Sequence, residues 1–178
     1  MLIIQYLLSL AHNNNNYRSI QFLSRQDFIT FVTSCPAPPT SCPTRSGISP
    51  APTGHPNVLL ISLHLNAAGD GTKWMNATGW SCYTCRGQTE SDKLADCLYQ
   101  AAIKNFPGKR IRTDDSDKDP DWEENFYILR KSLCPAVLTE NFFQDCLSDV
   151  LFLHSKAGKQ AVVDTHVEGI VEYIMAVC

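Results

Sequence analysis

The chain has 178 residues, a formal charge of −3 and a pI near 5.9, enough for one domain with a real core and without a general field for nucleic acid or an anionic membrane. No apolar stretch reaches the roughly 18–20 residues of a membrane helix. Eight cysteines, at 35, 42, 82, 85, 97, 134, 146 and 178, share no repeated pair spacing, so a disulfide mini-protein is excluded and ordinary thiols are expected.

From the N-terminus, Leu2 to Ala11 is a short apolar run with a faint look of a signal-peptide core. It lacks a positive flank, because the first basic residue is Arg18. Ile20 to Val32 has the character of one strand or a short helix. Asn13–Asn16 and Cys35–Pro56 are compositionally biased. Seven of the ten prolines and one of the eighteen acids, Asp27, precede Asn57. Proline at that density removes backbone donors and favours extended conformations. The chain therefore divides into an atypical, proline-rich, poorly ordered segment over 1–56 and an orderly domain over 57–178.

Val58 to Leu63 predicts a buried strand that runs into His64 and the turn-like Gly69-Asp70-Gly71. Gly79 to Thr84 predicts a second strand. Thr89 and Asp92 fit a capping box, and the helix after them buries Leu94, Cys97, Leu98, Ala101 and Phe106 on one face. Lys104 to Asp121 reads as a polar, acid-rich loop. Phe126–Leu129 and Ala136–Thr139 are two more predicted strands. A closing helix over 158–175 turns Val163, Val167, Ile170 and Ile174 inward. The expected fold is α/β, a mixed and mostly parallel sheet with helices on both faces, its N-terminal part irregular or incomplete.

Ligands of open α/β sheets collect at the carboxyl ends of strands. His64 and Glu140 both end predicted strands. A neutral imidazole can bind zinc, and a carboxylate beside it can take a proton from water and return it to a leaving amine. The plainer reading makes His64 a hydrogen-bonded strand-end histidine and Glu140 a loop cap.

The local sequences decide between them. Ser62-Leu63-His64-Leu65-Asn66-Ala67 resembles the S-I/L-H-x-N-A signature of zinc-dependent N-acetylmuramoyl-L-alanine amidases. Pro135-Ala136-Val137-Leu138-Thr139-Glu140 resembles that family's P-A-V-L-x-E strand, about 75 residues later. Tyr127-Ile128-Leu129-Arg130 matches the segment before that strand, Asp145–Leu153 with the closing helix fits the family's end, and Trp74–Gln88 resembles a variant among gut anaerobes and their phages. The resemblance covers residues 57–178. It implies the amidase catalytic fold and a hydrolase acting on bacterial peptidoglycan outside the cytoplasmic membrane. The bond cut is the amide between N-acetylmuramic acid and L-alanine. The resemblance also implies Zn2+ as cofactor, His64 as its last histidine ligand and Glu140 as catalytic acid/base.

The family's remaining ligands, a histidine in a D-x-G-H-G-G turn and a glutamate on the next helix, have no counterpart in residues 1–57. His12 and His55 are the surrogates available there. A truncated remnant that at most binds peptidoglycan is the alternative to an active enzyme. Asn66, Trp122, Glu124 and Arg130 are candidate substrate contacts, with Glu123 beside them.

Cys82-x-x-Cys85 suggests redox chemistry or half a zinc site, but no second pair matches it and both cysteines fall on a strand, where packing is the simpler role. Asp114–Asp119 resembles a calcium loop without an EF-hand's glycine and terminal glutamate, which favours a solvated loop bordering the groove. His154 and His166 are expected at the surface or an interface.

Overall fold

The computed structural model describes residues 29–32 and 58–177. The signal-like run, His12, His55, Cys35, Cys42 and Cys178 lie outside the described residues. The elements in chain order are β1 (Ile29–Val32), β2 (Val58–Asn66), β3 (Trp80–Thr84), α1 (Glu90–Asn105), β4 (Trp122–Glu123), α2 (Tyr127–Lys131), β5 (Ala136–Phe143), α3 (Leu147–His154) and α4 (Lys156–Val177). β1 falls inside the 20–32 stretch read as a strand or helix.

The strands form one sheet in the order β1-β2-β5-β3-β4. β2 runs parallel to β5 and β3 parallel to β4, while β1 on β2 and β3 on β5 are antiparallel. The sheet is mixed as expected, with antiparallel pairing taking half the interfaces. β2 and β5 are both longer than their apolar runs predicted, so His64 and Glu140 sit inside strands and not just beyond them.

Side chains alternate between the two faces of a strand. Leu59, Ile61, Trp80, Cys82 and Val137 point to one face, where Leu94, Leu98 and Ala102 of α1 and Val162, Ile170 and Ile174 of α4 complete the main core. The opposite face carries a smaller cluster of Leu60, Ala136 and Leu138 under Leu129 of α2. Cys82 and Cys85 consequently belong to different faces.

The α1 capping box forms as read. Thr89 Oγ1 accepts from Ser91 N at 3.1 Å, and Asp92 Oδ2 accepts from the Thr89 backbone. α1 and α4 meet at Gly169, where a β-carbon would lie 2.9 Å from Leu98 Cα.

Two expectations are corrected. Phe126–Leu129 is not a strand, because Tyr127–Lys131 is helical. Its aromatic and β-branched residues favour strand locally, but Trp122–Glu123 already takes the place beside β3, and a helical turn lets Leu129 cover the lesser core. His166 is not at the surface: it is fully buried in α4 against β5. His154 is exposed, as expected.

Candidate active site

The pairing of β2 with β5 sets His64 level with Glu140, and the pairing of β3 with β5 sets Ser81 opposite Glu140. These three and Ser62 share the sheet face that α1 and α4 leave uncovered. The Ser62 hydroxyl lies 2.8 Å from His64 Nε2. His64 Nδ1 has no hydrogen-bond partner among the described residues.

Glu140 Oε2 and Ser81 Oγ are both buried without hydrogen-bond partners. Burial alone pushes the Glu140 carboxyl up to about 7. Desolvation penalises its charged form, so near neutral pH it can both accept and hand back a proton.

Directly after Glu140 the register slips. Two residue steps along β2, His64 to Asn66, match three along β5, Glu140 to Phe143. Phe142 takes up the extra residue with φ +68°, a left-handed conformation that costs about 1–3 kcal/mol for a side chain of this kind. Its ring is held 5.0 Å from Phe106 and 5.2 Å from Phe152, centroid to centroid. The bulge thus turns Asn141 and Phe142 both toward the helices.

Asn141 exploits that position. Its Nδ2 donates to the His64 carbonyl at 3.2 Å and to Thr139 Oγ1 at 3.1 Å, and its Oδ1 accepts from Trp80 Nε1 at 3.0 Å. Thr139 Oγ1 lies 2.9 Å from His166 Nε2, while His166 Nδ1 lies 2.7 Å from the Val162 carbonyl. A carbonyl only accepts, so Nδ1 carries the proton and Nε2 accepts the threonine hydroxyl. Burial holds His166 down at about 4, which keeps it neutral. A continuous polar chain therefore runs from α4 through β5 to the backbone of His64.

An open cleft of about 640 Å³ lies at the carboxyl ends of β2 and β5, lined by Ala67, Gly69–Trp74, Gln144 and Asp145. Buried Asp145 shapes it: Oδ2 accepts from Ala68 N and Gly69 N, each at 2.8 Å, and its carbonyl accepts from Met75 N at 2.7 Å.

Of the suggested substrate contacts, Asn66 ends β2 beside this cleft, and its Oδ1 accepts from Ala67 N. Trp122 pairs with Tyr83 and so belongs to the same face as Glu140. The Arg112 guanidinium lies 5.4 Å from the Trp122 ring and 5.3 Å from that of Phe143, joining the two. Glu123 accepts from Gly87 N. Glu124 and Arg130 are exposed, and among the described residues neither contacts His64 or Glu140.

Sequence reasoning missed Arg112, Asn141, Asp145, Trp74 and the burial of His166. Asn141 and Asp145 lie within five residues of Glu140, but their partners come from β2, β3 and the loop between them. Adjacency was the only available signal.

His64 has the donor chemistry zinc prefers, and the orphaned Glu140 oxygen suits a carboxylate that handles a water proton. The described residues bring one nitrogen ligand to this place. The group of three ligand-type side chains within mutual reach is elsewhere, at Asp92, Asp119 and Asp121. Further zinc ligands would come from residues other than those described.

A family profile described as N-acetylmuramoyl-L-alanine amidase matches residues 41–172. The chain is 28% identical over 113 residues to the N-acetylmuramoyl-L-alanine amidase CwlM of Bacillus licheniformis, covering 62% of this chain and 38% of that protein. It is 31% identical over 118 residues to the endolysin of Bacillus phage SPP1, covering 65% and 40%. The chain thus spans about two-fifths of the length of these relatives. The solved N-acetylmuramoyl-L-alanine amidase of Clostridium difficile 630 superimposes with a TM-score of 0.57 at 26% identity, covering 66% of this chain and 58% of that one.

Proposed function

This chain belongs to the N-acetylmuramoyl-L-alanine amidase family, and from that premise we propose that it hydrolyses the amide between N-acetylmuramic acid and L-alanine in peptidoglycan. The observation that carries the reading is Glu140, a carboxyl raised to about 7, with one oxygen buried and unpartnered, level with His64 on the neighbouring strand.

In this reading Glu140 takes a proton from the attacking water and delivers it to the departing L-alanine nitrogen, so one group serves both steps. His64 would hold zinc, its Nδ1 being left for the ion while Nε2–H donates to Ser62 Oγ, an orienting contact of the kind metal-bound histidines make. The family is generally zinc-dependent, and when bound the ion would polarise the scissile carbonyl and lower the pKa of water. Asn141 fixes the His64 backbone. The cleft under Trp74 takes the glycan-peptide, with Asn66 at its edge and Trp122 on the adjoining sheet face. Glu124 and Arg130 would touch only the outer parts of a long strand. The catalytic unit is residues 57–178, and its place of work is outside the cytoplasmic membrane, where the substrate lies. No helix of the described residues is long and apolar enough to cross a membrane.

Purified full-length chain supplied with zinc should release peptides bearing a free L-alanine amino group from cell walls. Glu140→Gln should abolish that release. Wall digestion that frees reducing sugars and no L-alanine amines would overturn the assignment.

A further inference from the structure

A second group of acids lies at the other end of the sheet. Asp92 is in the first turn of α1, and Asp119 and Asp121 immediately precede β4. One carboxylate oxygen from each lies within 4.8 Å of the others. Thr84, beside them, is three residues along β3 from Ser81, on the order of 10 Å from the level of Glu140. The two places are separate.

Hydrogen bonds leave this group short of donors. Asp92 Oδ2 is taken by the Thr89 cap. The single Thr84 hydroxyl lies 2.6 Å from Asp121 Oδ2 and 3.4 Å from both Asp92 Oδ1 and Cys85 O, so its one proton serves mainly Asp121. Gln88 Nε2 donates to Asp119 Oδ2 at 2.5 Å. Asp121 is 1% exposed, yet its Oδ1 has no partner, and buried Asp119 Oδ1 has none either.

Positive charge is missing as well. The two ion pairs among the described residues, Lys93–Glu90 and Lys104–Glu168, include none of the three acids. Burial, and then repulsion from Asp119, Asp92 and Asp117, pushes the Asp121 carboxyl up to about 7. Burial, followed by repulsion from Asp119 and Asp92, raises Asp96.

Sealed carboxylate oxygens without donors need either protons or a cation. Every potential ligand here is a hard oxygen, from three carboxylates, the Thr84 hydroxyl and the Cys85 carbonyl. No nitrogen or sulfur ligand belongs to the group, which disfavours zinc. Ligands drawn from a helix, a strand and a loop do not form a rigid octahedron, which disfavours magnesium and suits the flexible coordination of calcium.

We propose that Asp92, Asp119 and Asp121 form a structural calcium site that braces the end of β3 and the start of β4 against the first turn of α1. The ion would fasten the long 106–121 loop where it rejoins the sheet, just ahead of Trp122. This site is independent of the amidase reading and of any zinc held at His64.

The test uses the full chain stripped with EGTA. Terbium, a calcium surrogate, should show saturable luminescence sensitised by Trp122 and displaced by calcium, and not by equimolar zinc. Calcium about a hundredfold above its dissociation constant should raise Tm by several degrees. Asp119→Asn and Asp121→Asn should lose both responses. Asp121→Asn in EGTA should melt at or above the wild type, since it removes a repelling charge. Two results would overturn the proposal: a wild type with no calcium-displaceable terbium and no calcium-dependent Tm, or an Asp121→Asn variant that keeps both responses. A wild type that responds to acidification and never to calcium has shared protons at this place, and that too sinks it.

Discussion

His64 and Glu140 stand at the same level of two parallel strands and leave the sheet on the same face, one offering a lone pair and the other a protonatable oxygen. Neither holds the main core together. Substituting Glu140 with Gln should therefore lower turnover by about 10²–10⁴-fold. KM should change little, and thermal unfolding at pH 8 should occur at the same or a higher temperature. An equal loss of activity and fold would count against a chemical role.

Stability should respond to pH through three groups whose folded environments shift their protonation. The Glu140 and Asp121 carboxyls are raised to about 7 from 4.5 and 3.8, so between those values and 7 the folded chain binds more protons than the unfolded one. Stability attributable to them is present at low pH and lost as pH rises toward 7. His166 works the other way. Held at about 4 against 6.5, its contribution is present above 6.5 and lost as pH falls toward 4. Urea titrations from pH 4.5 to 8 should show Glu140→Gln gaining on the wild type as pH rises. The gap should be widest above 7. His166→Gln should weaken the loss of stability below 6.5.

The chain of hydrogen bonds from His166 through Thr139 to Asn141 should be energetically coupled. Thr139→Val leaves a buried imidazole nitrogen unsatisfied and should cost about 1–3 kcal/mol in urea unfolding. His166→Ala should cost a comparable amount plus a cavity. The double variant should lose less than the two single costs combined, the mark of a shared interaction.

Asp145 fixes the loop that lines the cleft by accepting two backbone amides on one oxygen. Asp145→Ala should destabilise by about 1.5–3 kcal/mol, the range for a hydrogen bond to a charged group. Amide exchange at Ala68 and Gly69 should accelerate, and KM for cell-wall substrate should rise more than kcat falls.

Gly169 lets α1 and α4 approach closely. In Gly169→Ala the new methyl would meet the Leu98 backbone, which cannot swing aside, and overpacking of about 1–3 kcal/mol should lower the unfolding midpoint. The pH profile of activity should be unmoved.

What could be read from the sequence was local. Thr89 and Asp92 declare their cap because both partners lie three residues apart. The apolar runs at 58–63 and 136–139 announce β2 and β5 because each is buried on both faces. The site pair was legible only through the S-L-H-L-N-A and P-A-V-L-T-E resemblances, since register between distant strands leaves no periodic trace. The same blindness hid His166, which looks like any helix-surface histidine until Thr139 arrives from β5. It hid the second role of Asp92 too, because its companions lie 27 and 29 positions away. Tyr127–Lys131 failed differently. Phe126, Tyr127 and Ile128 prefer strand, but the place beside β3 had already gone to Trp122–Glu123.

The left-handed Phe142 splits β5 into two stretches whose side-chain phases differ by one residue. Upstream of it, chain length is fixed by alternation and identity decides everything. At the split itself the priority reverses, and length matters more than which apolar residue is present. A one-residue deletion between Glu140 and Phe143 would restore strict alternation and keep Phe143 in phase, but it would leave one helix-facing residue where two stand, so either the Asn141 hydrogen bonds or the Phe142 ring packing would be lost. In the exposed turn at 114–118 the same deletion would be absorbed. Drift in this fold should thus tolerate substitution at position 142 and refuse indels there, and a scanning deletion library would draw that boundary one residue past the carboxylate.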